Sequence, residues 1–165
     1  MISVLAIPKK LTYNIIIMIY LAILLFLTIV IVGLTSDEEF TCLSDAWYVM
    51  HTNFTCAMFG LAFLVVIPAI EHTPHEYTFL AFLMCVLIAF VGVAGDYKAN
   101  GLIRNVHLIS ALLSAICSVT WVILVSPASL SYGVIVALSL VERKRWLLWL
   151  EMACFAMVFR ALLVQ

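Results

Sequence analysis

Charge is what this sequence has least of. Eight Lys and Arg and nine Asp and Glu are spread over 165 residues, so 10% of the chain is charged while 67% is hydrophobic. A soluble domain of this size could not bury so apolar a chain, and the composition makes lipid the expected solvent. The formal net charge of −1 provides no basic face, which excludes a nucleic-acid partner. Catalytic signatures are also missing. There is no glycine-rich phosphate loop, no His-Glu-x-x-His helix, no Gly-x-Ser-x-Gly elbow and no potassium-filter sequence. Five cysteines stand at 42, 56, 85, 117 and 154. An odd number at irregular spacing indicates neither a disulfide framework nor a zinc knuckle. All but Cys42 fall inside apolar stretches, where a thiol behaves as a small hydrophobe.

What the chain does have is six apolar stretches, at about 11–33, 46–70, 77–94, 103–125, 127–141 and 145–164. A membrane helix needs about 20 residues, so six helices with tight turns use nearly all of 1–165 as one transmembrane domain. The expected fold is all-α, a polytopic transmembrane bundle of six helices. The first stretch is too long for a signal-peptide core, and Leu34-Thr35-Ser36-Asp37 lacks a small-x-small cleavage pattern, so it reads as a retained helix. Turn chemistry separates the stretches at Glu71–Glu76, at Gly95–Gly101 and at Ser126-Pro127. The fifth stretch is short: fifteen residues reach about 22 Å, against about 30 Å of hydrocarbon. It either spans a thinned bilayer or is re-entrant, which would leave five crossings with 127–141 re-entrant.

Six crossings put Lys98, Arg104, Arg143, Lys144 and Arg145 at one face and Lys9, Lys10 and Arg160 at the other. The positive-inside rule then turns the first face to the cytoplasm. The first helix taken alone, with Lys9-Lys10 before it and an acidic loop after it, turns the N-terminus there instead. The sequence reading takes the cytoplasmic N-terminus. Trp47, Tyr48, Tyr97, Trp146 and Trp149 cluster toward the first face, as an interfacial aromatic belt does.

The second, fourth and sixth stretches all begin at that face. His51 and His107 lie about one turn in, and Glu151 nearly two turns in, so the three share a depth. Asp45, Asp96, Tyr97, Lys98 and Glu142 lie in the loops above. Ionisable groups inside a membrane are costly, and they mark functional sites that face the bundle interior or a wet cavity. The expected ligand-binding residues are therefore His51, His107, Glu151, Asp96, Asp45 and Tyr97. Four uses stay open. The trio could be a structural clamp between helices. It could bind a ligand or relay protons. As two imidazoles and a carboxylate, His51, His107 and Glu151 could hold a divalent metal with an open position. His51 and His107 could also ligate a haem between two helices. Ser110, Ser114 and Ser118 follow small-xxx-small spacing, which close helix packing explains. The Glu71–Glu76 turn reads as solvated.

The strings Asp45-Ala46-Trp47-Tyr48, Asn105 to Ala111 and Trp146 to Glu151 resemble a group of small uncharacterised bacterial six-helix integral membrane proteins. The likeness spans about 40–160. It implies six helices and a bacterial inner (cytoplasmic) membrane, and it carries no activity. The leading functional expectation is a binding or transport protein. Its polar pocket near one membrane face would take a small polar molecule, an ion or a lipid head group. A membrane-embedded metal-dependent enzyme and a b-type haem electron carrier are the alternatives. The expected partners are the lipid bilayer and a second copy or another membrane protein.

Overall fold

In hydrocarbon no water is present to satisfy backbone amides and carbonyls, so a spanning segment must bond internally. The described residues do this with helices. A computed structural model describes residues 9–36, 39–98, 101–133, 135 and 143–164. Its α-helices are α1 (Lys9–Leu34), α2 (Ala46–Met50), α3 (Thr52–Glu71), α4 (Thr78–Val93), α5 (Gly101–Val125) and α6 (Trp146–Leu163). No strand occurs among the described residues. Five helices (all but α2) are long and apolar enough to cross a membrane. The molecule is an all-α bundle and a helical membrane protein.

Two elements differ from the sequence reading. The second stretch is not one helix. It breaks at His51, which has φ 50° and ψ −126°, so the five-residue α2 meets α3 at an angle in the backbone. A non-glycine residue with positive φ costs energy, and nothing in the apolar pattern announces the break. The fifth stretch opens as a 3₁₀ helix at Pro127–Gly133 rather than an α-helix. Most of the remainder, 134 and 136–141, lies outside the described residues, as does Glu142. The polarity of α6 is nevertheless plain. The Leu148 N–H, in its first turn, bonds the Thr41 carbonyl at 3.0 Å. Near its other end the Arg160 guanidinium lies 5.8 Å from the Tyr132 ring centroid. Tyr132 follows the end of α5, so α5 and α6 start at the same end of the bundle, as six crossings require.

Helix α4 packs between α3 and α5, α1 lies on α3, and α6 touches both α5 and α1. The helices thus close a ring. Lipid is as apolar as the side chains, so close van der Waals contact must hold such a ring together. Gly92 supplies it between α4 and α3: a Cβ there would stand 2.6 Å from the Met58 Cβ. The Thr55 hydroxyl donates to the Gly92 carbonyl at 2.9 Å across the same contact. The buried stripe Ser110, Ser114 and Ser118 lets α5 approach α4, and the Ser114 hydroxyl donates to the Met84 carbonyl at 3.3 Å. Phe26 of α1 meets Phe155 and Phe159 of α6 with ring centroids 4.5 and 5.7 Å apart.

The end of the bundle away from the loop 39–45 has its own tie. The Trp121 indole N–H donates to the Thr73 hydroxyl at 2.6 Å, and that hydroxyl donates to the Ala69 carbonyl. Thr73 is buried, so the Glu71–Glu76 turn is solvated only in part.

Candidate functional site

The segment Thr41–Asp45 folds over one end of the ring, and a single carboxylate shapes it. Asp45 Oδ2 accepts the Thr41 N–H at 2.8 Å, the Thr41 hydroxyl at 2.8 Å and the Cys42 N–H at 3.1 Å. Asp45 Oδ1 accepts the Tyr97 hydroxyl at 2.9 Å and pairs with the Lys98 ammonium at 3.0 Å. The reach back to Cys42, three residues earlier, is the reciprocal half of a capping box around the 3₁₀ turn Leu43–Asp45. Burial alone would raise the Asp45 carboxyl. The hydrogen bonds from Thr41, Lys98 and Tyr97 outweigh it and hold the group at about 2. Burial pushes the Cys42 thiol up to about 12, helped by the negative charges of Glu151 and Asp45. For Lys98, burial works toward a lower pKa, but the Asp45 carboxylate prevails and raises it.

Lys98 also braces the rim. Its N–H donates to the Tyr48 hydroxyl at 2.9 Å, and its ammonium sits 4.3 Å from the Tyr48 ring centroid. The Tyr48 hydroxyl in turn donates to Asp96 Oδ1 at 3.3 Å.

Beneath the segment lie two ionisable groups of the spans, His107 of α5 and Glu151 of α6. His107 Nε2 is 2.8 Å from the Ser44 hydroxyl oxygen, and His107 Nδ1 is 3.1 Å from the Ala94 carbonyl. Ala94 caps α4, so its carbonyl has a lone pair to spare. A carbonyl only accepts. In the neutral ring the proton is therefore on Nδ1, and Nε2 accepts from Ser44. Tyr97 stacks on the imidazole with centroids 4.9 Å apart and an interplanar angle of 22°. Glu151 Oε2 accepts the Leu43 N–H at 2.7 Å.

These groups head an open-sided cavity of about 410 Å³ bordered by α3, α4, α5 and α6. Cys42, Ser44, Tyr97, His107 and Glu151 line its polar end. Met58, Val65, Met84, Ile88, Phe155 and Val158 line the rest, with the Ser114 and Ser118 hydroxyls among them. Along α5 the lining runs from His107 to Ser118, a drop of about 16 Å at the helical rise.

Of the six residues expected at the site, Tyr97, His107 and Glu151 line the cavity. Asp45 stands behind it as the anchor of Tyr97, and Asp96 belongs to the rim. His51 is exposed at the α2–α3 break and is not part of the lining. Equal depth was counted along an unbroken helix, and the break turns His51 outward. The structure does not bring His51 to the cavity that His107 and Glu151 line, and both a metal held by His51, His107 and Glu151 and a haem between His51 and His107 call on it. Both nitrogens of His107 are already engaged, and among the described residues no three His, Cys, Asp or Glu side chains gather as a metal site. The sequence reading missed Ser44, Cys42 and the Leu43 N–H. The one local signal for them is the acid at 45, three residues after Cys42 and just ahead of an apolar run.

Comparison of the chain with protein-family models, with curated proteins and with solved structures finds no match.

Proposed function

We propose that the protein is an intramembrane binding protein for an amphiphilic, lipid-like molecule. The carrying observation is the shape and chemistry of one cavity, with polar groups gathered at the end nearest the membrane surface and an apolar shaft below. A head group that donates hydrogen bonds would meet Glu151, Tyr97 and the Ser44 hydroxyl. A chain would lie between Met58, Met84, Ile88 and Val158. Binding sites of this size take most of their affinity from apolar burial, and a few polar groups fix orientation. A small ion or a fully polar solute would leave the apolar shaft with nothing to fill it. The metal and haem readings have less support, because each calls on His51.

The proposed home is a bacterial inner membrane, as the resemblance implies. Lys98, Arg104, Arg143, Lys144 and Arg145 lie toward the site end, since α5 and α6 both start there. The positive-inside rule favours a cytoplasmic site end, and with it an N-terminus on the other side. That reverses the orientation taken from the first helix alone.

Purified protein tests the reading through extraction and mass spectrometry of its bound lipids. Wild type is expected to carry one amphiphile near stoichiometry. Ala111→Phe, which fills the shaft, should remove it. Glu151→Gln should lower its retention by about tenfold, the worth of one hydrogen bond to a carboxylate. Equal lipid in wild type and Ala111→Phe, or none in wild type, overturns the proposal.

A further inference from the structure

The binding reading leaves one geometry unexplained. A hydroxyl, an imidazole and a carbonyl stand in line at the polar end of the cavity: Ser44 Oγ to His107 Nε2 at 2.8 Å, and His107 Nδ1 to the Ala94 carbonyl at 3.1 Å. We infer that Ser44 and His107 form a nucleophile–base dyad that cleaves an acyl ester of the bound amphiphile. The inference rests on the proposed amphiphile site and assigns it a reaction.

Each part of the arrangement has a role in acyl transfer. A serine hydroxyl is a weak nucleophile until a base takes its proton, and the diagnostic constellation is a nucleophile bonded to a base that a third group orients. Here the third group is a backbone carbonyl. It fixes the proton on Nδ1 and so leaves Nε2 free to accept, the task a carboxylate performs in the familiar triads. Tyr97, stacked on the ring and anchored to Asp45, restrains the imidazole from a second side. Ser44 and His107 are 3% and 4% exposed, and both line the cavity, so a substrate reaches them only through it. A chain in the apolar shaft would bring its ester carbonyl up to the polar end.

The step balances with water as the only co-reactant. The Ser44 oxygen attacks the ester carbonyl carbon while its proton passes to His107 Nε2. The carbonyl carbon then releases its alcohol, whose oxygen takes that proton, and an acyl-Ser44 ester remains. Water attacks this ester, gives a proton to Nε2 and releases the fatty acid, and the proton returns to Ser44. The Leu43 N–H, next in sequence to Ser44 and now bonded to Glu151, is the donor on hand for the oxyanion when the Glu151 side chain turns to the head group.

A long-chain alkyl fluorophosphonate, which phosphonylates activated serines with loss of fluoride, tests the dyad on purified protein in detergent. The expected result is an adduct mapped by tandem mass spectrometry to Ser44. It should be absent in Ser44→Ala and slowed about 100-fold in His107→Gln, the usual loss when a general base is removed. Mapping on wild type alone decides the matter even where a variant fails to fold. Wild type that retains its co-purified lipid but gains no adduct on Ser44 overturns the dyad and leaves the binding reading standing. Wild type with neither lipid nor adduct overturns both. A rate unchanged in a folded His107→Gln also overturns the dyad.

Discussion

Glu151 of α6 accepts the backbone N–H of Leu43 at 2.7 Å across 108 positions of sequence. A carboxyl group in an apolar span needs a partner, and no cation stands three or four residues away on its own helix. The partner turns out to be main chain. The 39–45 segment contributes the N–H, and in the same region its Thr41 carbonyl takes the Leu148 N–H at 3.0 Å. Segment and helix thereby satisfy each other's orphan groups.

That reciprocity sets the first prediction. Glu151→Leu leaves the buried Leu43 N–H without its acceptor. The loss should be about 1–3 kcal/mol, read as a lower thermal midpoint in detergent. Glu151→Gln keeps an acceptor oxygen and should melt close to wild type. Equal midpoints for the Leu variant and wild type would show that the bond does not hold the segment.

A second prediction concerns Asp45. Its carboxyl is held at about 2 by hydrogen bonds that outweigh burial. A group whose folded pKa is depressed stabilises the fold above its unfolded value and loses that contribution as pH falls through the folded value. The thermal midpoint should therefore be level in Asp45 above about pH 4, the unfolded carboxyl range, and decline toward about pH 2. Asp45→Asn should remove this acid limb. It should also cost about 1–3 kcal/mol at neutral pH, because one amide oxygen cannot accept from Thr41, Cys42 and Tyr97 together, while the exposed Lys98 ammonium adds little. An unchanged midpoint in the Asn variant would refute the anchoring role.

How much of this was legible beforehand depends on the kind of signal. Long apolar runs fixed where α1, α3, α4, α5 and α6 lie, because spanning helices must be apolar over most of their length. The spacing of Ser110, Ser114 and Ser118 announced a close helix contact, and the structure supplies its partner, α4. His107, Glu151 and Tyr97 stood out as polar groups at a shared depth near one face. The arrangement around them did not stand out. Ser44 and the Leu43 N–H act through a short segment whose path is set by the Asp45 hydrogen bonds, and those partners come from Thr41 and from Tyr97 and Lys98, more than fifty residues on. Composition carries no trace of such a long-range tie. His51 misled for a related reason: a break in one helix is a local backbone event, and the short polar run His51-Thr52-Asn53 does not by itself distinguish a break from a polar turn of one continuous helix.

The break gives a third prediction. His51 is exposed and holds φ at 50°, a conformation that glycine reaches without a Cβ penalty. His51→Gly should therefore raise stability, by about 1 kcal/mol, and keep the bound lipid. His51→Ala should bring no such gain. A Gly variant that melts lower than wild type would mean that the imidazole makes a contact worth more than the strain.

The orientation of the bundle supplies the last prediction. Glu39 and Lys144 line one polar hollow of about 270 Å³ at the site end, while Glu76 is exposed in the turn between α3 and α4 at the other end. Six crossings require the first two to share a membrane face and the third to oppose them. In a cysteine-free background, Glu39→Cys and Lys144→Cys should react with a membrane-impermeant maleimide together, and Glu76→Cys under the opposite condition. With the basic end in the cytoplasm, intact spheroplasts should label only Glu76→Cys, and permeabilisation should expose the other two. Labelling of Lys144→Cys together with Glu76→Cys would mean that α6 inserts from the other side. The Leu43–Glu151 bond could not then form, and the cavity would lose its polar end.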